Sequence, residues 1–184
     1  MLVQLLSDVS LSELTESCAT RMLSWVTQKD VSDGLGLSRV PTIERTLAWI
    51  QTAEAKESVW AWAVLWNGNY VGNVVFDQID RRASTARMSI YLGDQNARSR
   101  GVGTTAIYLA LAKAFREQHL YKVWLTVHAE NAAAKKVYEN LGFRVEGTLR
   151  EAFVLGTRRL DAFYMGLLAA EFSTLETRET RPNG

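Results

Sequence analysis

The sequence is poor in the residues that bring cross-links and metals. Among 184 residues there are one cysteine, Cys18, and two histidines. A single thiol excludes a disulfide framework, and no Cys/His cluster has metal-ligand spacing, so no metal site is expected. Cys18 reads as a plain buried thiol. Only two prolines interrupt the chain, so most of it should be ordered. The net charge of +1 lacks the basic excess that nucleic-acid or acidic-surface binding would require. No stretch approaches the ~20 apolar residues of a membrane span. The N-terminus carries no secretion signal, which makes the cytoplasm the expected compartment.

What is present suits one core. Apolar residues make up 47% of the chain and charged residues 22%, and the length fits a single domain. That domain is expected over residues 1–170. Residues 171–184, which end in "TLETRETRPNG", read as a polar, frayed tail.

Periodicity gives the order of elements. "LVQLL" reads as a short first strand. "LSELTESCATRMLSWV" reads as a helix, with Leu11, Leu14, Cys18, Met22 and Trp25 three or four residues apart. After a loop, "TQKDVSDGLGLSRVP", a second helix opens near Thr42 with Glu44 in its first turn. "SVWAWAVLW" and "YVGNVVFDQI" around "NGN" form the strongest hairpin signal, and "STARMSIYL" is the next strand. From there strand and helix alternate. Ile107, Leu111 and Phe115 mark one face of a helix, and "YKVWLTVH" alternates as a strand. Asn131 is placed to cap "AAAKKVYENL" and Gly142 to end it. Two closing strands flank Gly156. The sum is an α/β sheet, antiparallel first and partly parallel where helices cross over.

The turn "RSRGVG", Arg98 to Gly103, runs directly into the helix marked by Ile107. Unpaired N–H groups at a helix start lie beside a partial positive charge and favour an anion, and glycine lets a phosphate approach the backbone. Arg98 and Arg100 add charge at the rim. The plain alternative is an ordinary helix start with surface arginines. "GVGTTA" also matches a dinucleotide fingerprint with Glu130 as ribose acid. Its context fails, because residues 93–99 separate strand from turn and too few residues follow for a doubly wound sheet. A Walker loop fails because no Gly-Lys-Ser/Thr follows.

The order strand, "RSRGVG", helix, strand, then "EN…A…VYENLGF" from Glu130 to Phe143 resembles the GNAT superfamily of acetyl-CoA-dependent N-acetyltransferases. The closing "EGTLREAFVLGTRRLDAFYMGLL" is similar to the ribosomal-protein, polyamine and amino-sugar branches. The likeness is good from about Ser84 to Leu168 and loose before it. It implies a mixed, mostly antiparallel sheet of about seven strands, splayed between two central parallel strands and flanked by about four helices. It also implies acetyl-CoA as cosubstrate. The backbone of Arg100, Gly101, Val102, Gly103 and Thr104 would cradle its pyrophosphate, with Arg98 leading into the turn. A strand N–H near Leu92 would polarise the thioester carbonyl, and Asn131 would touch the pantetheine arm, compatible with its role as a cap. Tyr138 matches the family's tyrosine that protonates the departing thiolate, although its spacing also suits a core aromatic.

One position departs from the pattern. Many relatives carry a glutamate in the strand before the turn; here Arg87 takes that place, and Ser89 replaces a glycine. A usual helper for deprotonating the amine is therefore missing. This favours a weakly basic amine over a polyamine. Arg81, Arg82, Arg87, Arg150, Arg158 and Arg159, if gathered at the cleft, would attract an anionic acceptor such as a nucleotide-linked amino sugar. The leading expectation is transfer of acetyl to such a small-molecule amine. Protein N-termini, polyamines and a non-catalytic CoA-binding role are the alternatives. Asp77, Asp94, His128, Glu151 and Asp161 are all conceivable bases or acceptor contacts. A homodimer is expected only by analogy of fold.

Overall fold

The computed structural model describes residues 6–35, 41–55 and 58–179. Seven strands form one sheet in the order β1-β2-β3-β4-β5-β7-β6. They are β1 Val9–Glu13, β2 Trp60–Trp66, β3 Asn69–Asp80, β4 Thr85–Leu92, β5 Lys122–His128, β6 Arg144–Leu155 and β7 Arg158–Leu168. The helices are α1 Ala19–Val26, α2 Lys29–Leu35, α3 Ile43–Glu54, α4 Val102–Ala112, α5 Ala132–Asn140 and α6 Ala169–Glu179. All strand pairings are antiparallel except β4 with β5. The expected mixed, seven-stranded sheet is therefore present.

Local chemistry explains most of the boundaries. The β2–β3 hairpin turns on Asn67 and Gly68, both with positive φ (50° and 74°), as a tight hairpin turn matched to strand twist requires. Thr42 caps α3 by accepting the Arg45 N–H, with Glu44 in the first turn. Asn131 caps α5, its Oδ1 accepting the Ala134 N–H at 3.0 Å.

Alternation along β2 divides the core. Trp60, Trp62 and Val64 face the larger cluster, built with Ile107 and Leu111 of α4, Leu125 of β5 and Met165 of β7. Ala61 and Ala63 face a smaller cluster with Leu14, Ala19 and Ile50 under α1 and α3. Helices α4 and α5 thus lie on one face of the sheet, and α1 and α3 on the other.

The N- and C-terminal segments differ from the sequence expectation. Leu11 to Glu13, read as the first helix turn, belong to β1, which pairs with β2 through Val9↔Trp66 to Glu13↔Trp62. A short run of apolar residues fits either period, and the free edge of β2 decides the matter. The strand expected at Leu2 to Leu5 lies outside the described residues. Helix α2 falls within the segment read as loop. The C-terminal boundary also moves: residues 171–179 continue α6, and Phe172 is buried between Tyr108 and Phe115, with ring centroids 5.4 and 5.3 Å away. One aromatic side chain, Phe172, extends the core beyond residue 170. No helix among the described residues is long and apolar enough to cross a membrane.

Burying a phenylalanine side chain of this kind sets its removal cost at about 3–5 kcal/mol. Phe172→Ala should lower the unfolding free energy by that amount in urea titrations. An unchanged midpoint would mean that α6 does not fold with the domain.

Candidate functional site

The site begins where two strands part. Strands β4 and β5 pair only at Thr85↔Lys122, Ala86↔Val123 and Arg87↔Trp124. Beyond Arg87, β4 stays on β3, up to Gly72↔Leu92, while β5 stays on β7, up to His128↔Ala162. The two halves of the sheet splay, and a cavity of about 500 Å³ occupies the gap. It is lined on one side by Gly101, Gly103, Thr104, Asn131 and Tyr138, and on the other by Val31, Leu35, Tyr91, Thr126, His128 and Phe153. The cavity therefore passes through the sheet.

At its first mouth lies the start of α4. Gly101 is the N-cap, at φ 83°, where a side chain is disfavoured and no capping group is available. The first helical bond is Thr105 N–H to Gly101 O, at 3.0 Å. The N–H groups of Val102, Gly103 and Thr104 precede that bond and have no acceptor within the helix. Val102 is fully buried, so only its backbone serves the turn. Arg98 donates from Nε to the Leu92 carbonyl at 2.9 Å, tying the end of β4 to the turn. Arg100 instead lays its guanidinium over Trp66, 5.9 Å from the ring centre.

The open edge of β4 supplies a further donor. Gly93 N–H bonds Val71 O on the β3 side at 2.9 Å. Strand alternation turns Leu92, one residue earlier, to the opposite edge, where β5 has already left. With the Leu92 carbonyl taken by Arg98, its N–H is the group presented to the gap. Gly93 is constrained as well: a Cβ there would lie 2.0 Å from Trp25 Cδ2, so the indole of α1 seats directly on the strand end.

Tyr138 lines the cavity from α5, packed edge-on against Phe143 at 5.8 Å. Burial pushes its phenol up to about 12, keeping it protonated. Tyr91 belongs to a buried chain: Tyr70 donates to Asn73 Oδ1 at 2.9 Å, and Asn73 Nδ2 donates to Tyr91 at 2.8 Å. Burial raises both phenols, which are neutral in this setting. Asn73 is wholly buried, and its place as an amide between Val71-Gly72 and Val74-Val75 was the sequence signal for this chain. Val31, Leu35, Thr126 and Phe153 carried no comparable signal.

The arginine arrangement differs from the expectation. Arg87 forms a bidentate pair with Asp77, Nε–Oδ1 2.7 Å and NH2–Oδ2 2.6 Å, across the β3–β4 register. Arg158 pairs with Glu130, and Arg159 reaches the Glu151 carbonyl. Arg81 and Arg82 follow β3 in the β3–β4 turn, and Arg150 is exposed on β6. None of the six lines the cavity; among the described residues Arg98 is its one arginine. Among the described residues no group of three or more His, Cys, Asp or Glu side chains could hold a metal.

Comparison with known proteins agrees with this geometry. The family model of the acetyltransferase (GNAT) domain matches residues 8–144. The chain is 31% identical over 101 residues to the L-amino acid N-acetyltransferase AaaT of Escherichia coli K12, covering 54% of this chain and 62% of that protein. It is 29% identical over 106 residues to the spermidine N(1)-acetyltransferase of the same strain, covering 58% of this chain and 56% of that protein. The match thus spans under two thirds of either relative. Among solved structures, spermidine N-acetyltransferase from Vibrio cholerae, in complex with CoA and spermine, superposes with a TM-score of 0.86 at 21% identity, covering 91% of this chain and 99% of that one. RimL, a ribosomal L7/L12 alpha-N-protein acetyltransferase in complex with CoA, gives 0.80 at 16% identity, covering 91% and 98%. With the splayed sheet and the uncapped glycine turn, the family match identifies the chain as a member of the GNAT acetyltransferase domain family.

Proposed function

We propose that the protein is an acetyl-CoA-dependent N-acetyltransferase whose acceptor is a weakly basic primary amine on a mainly apolar carrier, the α-amino group of an amino acid or of a peptide. The observation that carries this reading is a continuous cavity joining the uncapped start of α4 to the far face of the sheet.

The residues present suit the cosubstrate. The N–H groups of Val102, Gly103 and Thr104, in a turn shaped by Arg98, Arg100 and Gly101, would hold its pyrophosphate. Asn131 has spent Oδ1 on its own helix, so Nδ2 is what it offers the pantetheine arm. Bound acetyl-CoA supplies a thioester that an amine attacks directly, so no enzyme nucleophile is needed and Cys18 takes no part. Leu92 N–H would bind the carbonyl oxygen as charge develops there. Tyr138 would donate to the sulfur. Its phenol at about 12 lies well above the ~8.5 of a free thiol, so complete transfer is uphill by roughly 5 kcal/mol. Tyr138 therefore acts chiefly as a hydrogen-bond donor in the transition state, with proton transfer late.

The far side of the cavity bears on the acceptor. Among the described residues its lining has no carboxylate, and Asp77 is already neutralised by Arg87. A polyamine would bring several ammonium groups to a surface with nothing to pair them. Freeing an amine of pKa ~10.4 at pH 7 costs about 4.6 kcal/mol, against 1–1.4 for an α-amino group near ~7.7–8. The amino-sugar nucleotide loses its support, because the arginines expected to greet its phosphates lie elsewhere. The relatives named for an L-amino acid and for a ribosomal-protein N-terminus accord with an α-amino acceptor.

A thiol-release screen with acetyl-CoA should show turnover on apolar amino acids or short peptides, and little on spermidine or sugar nucleotides. Turnover confined to polyamines would overturn the acceptor assignment; tight CoA binding with no turnover on any amine would make the protein a binding module. Tyr138→Phe should lower kcat by about 10² or more while CoA affinity stays within roughly threefold. Equal loss of both would make Tyr138 a packing residue. Because burial raises this phenol, its donor form outlasts that of a free tyrosine. The kcat profile should hold its plateau through about pH 10, and a fall centred below that would point to a more acidic donor.

A further inference from the structure

We infer that His128 takes the proton from the acceptor's ammonium before attack, an inference that rests on the transferase reading above. Five groups were conceivable from the sequence, and their placement separates them. Asp77 is clamped by Arg87. Asp94 accepts the Asn96 N–H and pairs with Arg21. Asp161 accepts the Glu151 N–H, and Glu151 lies exposed on β6. None of these four lines the cavity, and His128 does.

His128 is also the group whose surroundings leave an atom unexplained. Its Nδ1 is buried and has no hydrogen-bond partner among the described residues. Buried polar atoms without partners are few in folded proteins, and those found at sites have chemical uses. The ring is held in place: its centroid lies 5.0 Å from that of Phe153, and its carbonyl accepts the Asn131 N–H at 2.9 Å. With the ring proton on Nε2, Nδ1 is an acceptor without a donor, on a residue that lines the cavity.

Position supports the same role. Val127 faces the core beneath α4 and α5, so alternation puts His128 on the opposite face, with Val31 and Leu35 of α2 across the cavity. Tyr138 packs against the core from the α5 side. The proton acceptor and the thiolate donor therefore bracket the gap from opposite faces of the sheet. The charged groups nearby are accounted for. Glu130, two residues along, is paired with Arg158; Asp161 on β7 and Glu151 on β6 are placed as above; α2 offers the cavity Val31 and Leu35. Arg98, at the other mouth, is bound to Leu92 O, and the phenols of Tyr91 and Tyr138 are neutral.

The step balances. An ammonium N–H bond breaks, its electron pair stays on nitrogen, and the proton moves to imidazole. The amine forms the C–N bond to the thioester carbon as C–S breaks with its pair on sulfur. Tyr138 protonates the sulfur and regains a proton from the acylated nitrogen. The imidazolium then loses its proton to solvent, leaving amide, thiol and one proton. Imidazole is the side chain suited to hold and release a proton near neutrality.

The test uses an amine on which the wild-type protein turns over. His128→Gln, which keeps a polar side chain but cannot titrate, should lower kcat by about 10²-fold or more. CoA affinity should be unchanged, and the remaining rate should rise with pH as the free-amine fraction rises. Added imidazole should restore part of the rate to His128→Ala. A kcat within roughly threefold of wild type, with the same pH profile, would overturn the assignment. Independently of turnover, the chain's two histidines, His119 and His128, are separable by imidazole NMR. With CoA bound, a saturating α-amino compound should move the His128 signals and leave those of His119. Unmoved His128 signals would overturn the inference, whereas a failed amine screen alone would count against the transferase reading.

Discussion

The three-residue contact between β4 and β5 is the constraint on which the rest depends. Parallel strands that continued past Arg87 and Trp124 would close to the usual spacing of ~4.8 Å and spend their edge groups on each other. Because they part, Leu92 N–H is left facing a gap, Arg98 can cap the Leu92 carbonyl, and a ligand can cross from one face of the sheet to the other. The halves stay joined elsewhere. Strand β4 is anchored on β3, β5 on β7, and Val102 and Ile107 of α4 belong to the core that both halves share.

Electrostatics within the gap are arranged economically. The mouth at α4 is positive through backbone dipoles and Arg98. The far side is close to neutral, since Asp77 and Arg87 cancel at the floor where the strands separate and the raised phenols of Tyr91 and Tyr138 hold their protons. On the proposed reading, a charged amine entering that side would gain little by remaining charged.

Much of the fold and half of the candidate site's lining could be read from the sequence. The Asn67–Gly68 turn, the alternation of β5, the capping by Asn131 and the "RSRGVG" turn are local signals whose physics acts within a few residues. Leu92, Asn131 and Tyr138 are found on the cavity wall because their motifs are also local. The far side of the cavity was illegible for the opposite reason. Val31, Tyr91, His128 and Phe153 come from four distant segments and meet only through the sheet order, and His128 could not be ranked against four carboxylates before their partners were known. Likewise Arg87 read as a lost acid and Asp77 as a conceivable base, because their pairing across the β3–β4 register is not visible in the sequence.

Strand β6 forms one margin of the sheet, and its backbone is bent near Glu151, at φ 51°, where register with β7 slips between Leu149 and Phe153. Val145, Leu149 and Val154 are exposed along it, interleaved with Arg144, Glu146, Arg150 and Glu151. A straight, uncharged border of that length would invite further strands from other molecules and the growth of continuous sheets. The kink and the alternating charges limit such docking to a short run on either side of the bend, so this border resists templated aggregation even though it is long and partly greasy.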